Sequence, residues 1–233
     1  MRLAIIIGLA GFCGAAAPAY AGPANLLGNG SFEQGSGTAG QAGTFTGWTI
    51  GGSSFGSGPG VGPQRIQYGA NGTAYGDNVP ADPFTNSPDA SGNNAAFFVD
   101  DAANETLSQH IAVNGGTTYE VGFDFFETLS GAANPNPFTL SASIDGTVLA
   151  SVTSGVQYGA GTWYHVFEIF TPAASNDNSM FTFLYTSGAS AAKDVIVDDV
   201  YVEVAPPGDI PEPASALVLG AGLFGLLALR RRT

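Results

Sequence analysis

The sequence predicts an all-β protein built as a jelly-roll β-sandwich. Three observations carry that expectation. Apolar residues recur at every second position over much of residues 95–204. An Asp-Gly pair joins two of these stretches. No part of residues 22–209 shows the 3.6-residue apolar stripe of a helix. Short alternating segments punctuated by Gly, Asn and Pro are the raw material of sandwiches and jelly rolls.

Taken in order, the chain opens with a signal peptide, residues 1–21. Arg2 is the positive region, Leu3 to Ala17 the apolar run, and Ala19-Tyr20-Ala21 the small-x-small cleavage site. The only cysteine, Cys13, lies inside it. Phe12 fills the position where a lipoprotein box needs a small residue. The mature chain, from Gly22, therefore has no disulfide and relies on packing, hydrogen bonds or bound metal. Residues 22–205 form one β-sandwich domain. Within it, Gly51 to Asn94 reads as long loops, with Gln64–Tyr68 able to form a strand. Strands are predicted at Ala95–Val99 and Glu105–Val113. Tyr119, Val121, Phe123 and Phe125 alternate with Glu120, Gly122 and Asp124. Phe138 to Ile144 and Thr147 to Val152 flank Asp145-Gly146, which suits the positive φ values of a type I′ hairpin turn. Thr162–Phe170, Met180–Thr186 and Asp194–Val204 complete the set.

Residues 206–213 are a linker containing Pro211-Glu212-Pro213, and residues 214–233 are an apolar run ending in Arg230, Arg231 and Arg232. As a helix, the 16 apolar residues Ala214 to Leu229 rise about 24 Å, short of the roughly 30 Å hydrocarbon core. Snorkelling arginines make up the difference and hold that end in the cytoplasm. Gly220-Ala221-Gly222-Leu223-Phe224-Gly225 matches G-x-G-x-x-G, but no strand precedes it and no acidic residue follows, so the dinucleotide reading fails.

This tripartite tail resembles the PEP-CTERM sorting signal of exported bacterial proteins. The resemblance implies an exosortase-type membrane enzyme as partner, transient anchoring by the C-terminal helix, and a destination at the cell surface or outside the cell.

Charge excludes one class of partner. Residues 22–209 hold two basic residues, Arg65 and Lys193, against 18 acidic ones, a formal charge of −16. Such a surface repels phosphate backbones, so no nucleic-acid binding is expected.

The mature chain begins Asn25-Leu26-Leu27-Gly28-Asn29-Gly30-Ser31-Phe32-Glu33 and ends Val195-Ile196-Val197-Asp198-Asp199-Val200-Tyr201-Val202-Glu203. These ends resemble carbohydrate-binding modules with the galactose-binding-like jelly roll. The resemblance implies a structural calcium tying first strand to last, with Glu33 and Asp198 at the matching motifs. Strict alternation places Ile196, Asp198, Val200, Val202 and Val204 on one face, so Asp198 points inward. The alternative is that Asp198 accepts backbone hydrogen bonds and Glu33 is an exposed turn residue.

Sugar rings stack their C–H faces on aromatic rings, and their hydroxyls need polar neighbours. Tyr68, Tyr75 and Tyr158 lie in glycine-rich surroundings and are the candidate ligand-binding aromatics, with Arg65 as a polar partner; Trp48 and Trp163 read as packed. His110 and His165 each sit in a predicted strand, where a lone histidine is an ordinary surface residue. Asp100-Asp101 and Asp198-Asp199 are adjacent strand residues facing opposite sides, so neither pair can flank one sugar. The chain is thus read as non-enzymatic, binding polysaccharide at the cell surface. A structural surface protein without a specific sugar, or a hydrolase with dispersed carboxylates, are the alternatives.

Overall fold

In a computed structural model, residues 24–37, 43–54, 62–68, 71–72, 77–78, 92–98, 102–129, 136–156, 158–187 and 192–206 are described. The signal peptide, Tyr75, Asp100-Asp101, Pro211-Glu212-Pro213, the C-terminal helix and Arg230 to Arg232 lie outside the described residues.

Among the described residues fourteen strands follow in order: β1 Gly35–Ser36, β2 Thr44–Phe45, β3 Thr49–Ser54, β4 Gln64–Gln67, β5 Asn71–Gly72, β6 Asp77–Asn78, β7 Asn94–Phe98, β8 Ala102–Val113, β9 Tyr119–Glu127, β10 Thr139–Ile144, β11 Thr147–Thr153, β12 Trp163–Phe170, β13 Asn176–Thr186 and β14 Val195–Val204. Two five-stranded antiparallel sheets hold most of them, ordered β11-β10-β13-β8-β3 and β12-β9-β14-β7-β4.

The alternation sets which faces meet. Val121, Phe123 and Phe125 of β9 and Phe98 of β7 face Leu107 of β8 and Phe181, Phe183 and Tyr185 of β13, all buried. Phe123 meets Phe183 edge-on, with centroids 5.0 Å apart, and Phe98 stacks on Tyr185 at 6.1 Å. Asp145 and Gly146 take φ values of 49° and 77°, and Ile144 pairs with Thr147, which is the predicted two-residue hairpin.

The first and last described segments are sewn together. Leu26 N–H donates to the Val202 carbonyl (2.8 Å), Val200 N–H to Gly30 (3.0 Å), and the Asn25 side chain bonds both the Val200 carbonyl (2.8 Å) and Val202 N–H (3.0 Å). Beside this seam Trp48 is buried against Phe32, its indole N–H donating to the Asn29 carbonyl (3.1 Å).

One expectation is corrected at β14. The register against β9 shifts between Asp198 and Tyr201, and Asp199 has φ 49°. This β-bulge breaks strict alternation. Val195 and Val197 share the main core with Val200 and Val202, while Ile196 joins a second cluster on the opposite face with Ile66, Ala95, Phe97 and Phe126. Asp198 is fully buried, but on that opposite, outer side, where Tyr68 reaches it, rather than in the main core.

Candidate functional site

The outer face of the β12-β9-β14-β7-β4 sheet gathers the side chains with chemistry. Alternation sends Glu120 and Asp124 of β9 to this face, and the bulge turns Tyr201 and Glu203 of β14 the same way. Trp163, His165, Phe167 and Ile169 arrive from β12.

A row of rings crosses the three strands. Tyr201 and His165 lie nearly parallel (10°), and His165 and Phe167 follow at 24°, each pair with centroids 5.9 Å apart. Gly122 makes the row possible. It stands on β9 between Phe167 of β12 and Tyr201 of β14, and a Cβ there would collide with the Tyr201 ring and hydroxyl. Tyr201 therefore crosses Gly122 to reach His165.

Polar atoms line the row. The Tyr201 hydroxyl donates to Glu120 Oε1 (2.5 Å) and lies 3.2 Å from His165 Nε2; His165 Nδ1 lies 2.7 Å from Asp124 Oδ1. Glu203 stands opposite Glu120. Burial, then the Glu120 charge, raises the Glu203 pKa. Burial, then the Glu120 hydrogen bond, raises that of Tyr201 strongly, so its phenol keeps its proton at any physiological pH. Beyond the row Trp163 packs edge-on to Tyr68 (6.2 Å) and against Phe126 (5.3 Å).

Of the residues picked from sequence, Tyr68 lies on this face, donating its hydroxyl to Asp198. Tyr158 does not join it. Partly buried, it packs against Phe125 (4.9 Å) and Tyr164 (4.7 Å) of the main core. Arg65 is turned away, its guanidinium donating to the carbonyls of Phe32 (2.8 Å) and Glu33 (2.6 Å). His165, Tyr201, Glu120, Asp124 and Phe167 were missed. The hydrogen bonds among His165, Tyr201, Glu120 and Asp124 join residues 36 to 81 positions apart in sequence, so only the strand order unites them. The one sequence signal was Gly122 in an otherwise bulky strand.

The oxygens read as calcium ligands are already supplied with donors. Glu33 Oε1 accepts from Asn93 and Asn94 N–H (both 2.8 Å), and Oε2 from the Asn94 amide (2.9 Å). Asp198 Oδ1 accepts from Asp199 N–H (2.8 Å), and Oδ2 from Tyr68. The carbonyls of Phe32 and Glu33 hold Arg65. Glu33 and Asp198 are thus each held by the protein's own donors, and the Arg65 guanidinium brings a positive charge to the Phe32 and Glu33 carbonyls. A chelator is expected to leave the melting temperature unchanged. A fall on chelation, reversed by added calcium, would restore the metal reading.

No curated protein matches the chain. Among solved structures, the Stig cyclase Fisc from Fischerella sp. TAU, in complex with (3Z)-3-(1-methyl-2-pyrrolidinylidene)-3H-indole, is similar with TM-score 0.53 and 16% identity, over 79% of this chain and 98% of that one. The likeness is one of fold. A carbohydrate-binding module, TmCBM61 in complex with beta-1,4-galactotriose, aligns with TM-score 0.43 and 19% identity, over 78% of this chain and 99% of that one. Residues 209–232 match the PEP-CTERM protein-sorting motif, so the chain carries the C-terminal signal of an exported protein handled by an exosortase.

Proposed function

We propose that the protein binds an uncharged glycan, without catalysis, on the outer face of the β12-β9-β14-β7-β4 sheet, and is held at the cell surface after exosortase processing near Pro211-Glu212-Pro213. One observation carries the reading: His165 and Phe167 present exposed, near-parallel rings on this face, with His165 held from behind by buried Tyr201 and Asp124 and with the partly exposed acceptors Glu120 and Glu203 nearby. Rings offer stacking surface to sugar C–H faces, and carboxylates accept from sugar hydroxyls. The resemblance of both chain ends to carbohydrate-binding modules supports the same reading.

Charge narrows the ligand. Arg65 and Lys193, the only basic residues of residues 22–209, are held by the protein's own carbonyls and by Glu127. Neither offers a cation to a uronate or sulfate, and the net charge of −16 repels a polyanion.

The test is a glycan array followed by titration of a neutral polysaccharide. His165→Ala removes a ring and a hydrogen bond, together worth about 1–2 kcal/mol, so affinity should fall about tenfold with the circular dichroism spectrum unchanged. Binding confined to acidic polysaccharides, or none at high protein concentration, rejects the proposal.

A further inference from the structure

We propose that β12 is a self-association edge, through which two copies of this chain pair antiparallel about a two-fold axis at Phe167. Strand β12 is the outermost strand of its sheet and pairs only with β9 among the described strands. Soluble proteins protect such an edge with charged side chains (lysine above all), proline, a bulge, a very short strand or a covering loop, and Glu168 is the one carboxylate β12 carries. Residues 163–170, Trp-Tyr-His-Val-Phe-Glu-Ile-Phe, contain neither lysine nor proline, and their register with β9 runs unbroken over all eight positions. Two large apolar side chains, Phe167 and Ile169, are 54% and 53% exposed on it.

The sequence of the strand selects a second copy and one register. A two-fold pairing keeps like faces together only when a residue of one copy stands opposite a residue of the same face in the other. Centred on Glu168, it would set two carboxylates directly opposite, which is unfavourable. Centred on Phe167, it sets ring against ring and Ile169 against His165 of the second copy, while Val166 opposes Glu168. Phe167 then gains the partner's ring and Ile169 its imidazole alongside while their outer faces stay open, no like charges stand directly opposite, and the two five-stranded sheets become one. The proposed glycan faces would lie side by side on it, which raises avidity for a repeating polymer. The pairing itself does not depend on that reading.

An eight-residue edge is a small interface, and each copy carries a charge of −16 on residues 22–209. The dimer should therefore be weak, roughly micromolar, and should strengthen with salt as repulsion is screened.

Sedimentation velocity of the purified exported chain across protein concentration and at two salt concentrations tests this. The expected result is a monomer–dimer equilibrium that salt shifts to dimer. Phe167→Lys should raise the dimer Kd about tenfold or more, by placing two ammonium groups opposite each other. Val148→Lys, on exposed β11 at the edge of the other sheet, should not change it. Because Phe167 is exposed, loss of dimer with the melting temperature retained identifies the edge rather than a folding defect. A wild-type monomer at all concentrations, or a dimer that survives Phe167→Lys, overturns the proposal. Glycan binding by a strictly monomeric chain would overturn the pairing and leave the proposed function standing.

Discussion

Lys193→Met is expected to destabilise the fold by about 3 kcal/mol. Lys193, the chain's only lysine, places its Nζ 3.0 Å from Glu127 Oε1, with 20% and 3% of the two side chains exposed. Glu127 ends β9 where it pairs with Val195, and its carbonyl accepts from Gly161 N–H (2.9 Å). Next to it Thr128 N–H donates to the Asp194 carbonyl (3.2 Å), and the Lys193 carbonyl accepts from the Tyr185 hydroxyl (2.9 Å). The pair thus pins the end of β9 to the start of β14 and to β13. Methionine keeps the length of the side chain but removes the charge, leaving a buried carboxylate without its cation. Breaking a buried pair from one side costs roughly 3–5 kcal/mol, and the partial exposure of Lys193 places this case at the low end. The midpoint of urea unfolding reads it. Adding Glu127→Gln should recover most of the loss, since an amide can be buried more cheaply than a charge. A single variant as stable as the wild type would show that solvent already screens the pair.

The same arithmetic explains why Arg65 stands out from sequence as a partner for a ligand. With two basic residues in an acidic body, each looks available to a ligand. The fold uses both internally, because β4 pairs with β7 and brings Arg65 beside the carbonyls of Phe32 and Glu33. Those carbonyls sit in an irregular segment, Phe32 with φ 54°, that no ladder satisfies.

Local signals made most of the sandwich legible. Strands β7 to β14 follow from alternation and from Asp145-Gly146, with β8 and β13 extending further toward their N-termini than predicted. Strand β3, Thr-Ile-Gly-Gly-Ser-Ser, was hidden because it carries one large apolar residue and two glycines. The bulge at Asp199 could have been suspected: Val195, Val197, Val200 and Val202 are spaced two, three and two, and the three marks the extra residue. Missing it put Asp198 in the wrong layer. His165 looked like a lone strand histidine because its chemistry comes from Asp124 and Tyr201 on two other strands. Non-local pairing of this kind leaves no periodic trace.

The second large effect is expected at Gly122, where fold and site meet. Gly122→Ala should cost about 2–4 kcal/mol and abolish the ring row. The intrinsic effect of alanine for glycine in a strand is favourable by a few tenths to about 1 kcal/mol, so propensity alone predicts stabilisation. The added Cβ, however, meets the Tyr201 ring and hydroxyl in a position that is 1% exposed, with no room for the ring to slide inward. The ring must lift, losing its bond to Glu120 and its approach to His165. A hydrogen bond to a charged acceptor is worth about 1.5–3 kcal/mol, and overpacking adds roughly 1–3 kcal/mol. These losses outweigh the propensity gain. A double-mutant cycle isolates the cause. In a Tyr201→Leu background the collision is gone, and Gly122→Ala should become neutral or stabilising. If the two changes add instead, the cost lies in the β9 backbone and not in the ring. Affinity for a neutral glycan should fall in Gly122→Ala together with stability. A variant that unfolds more readily yet binds as well as the wild type would separate the ring row from the ligand and move the binding surface elsewhere on the sheet.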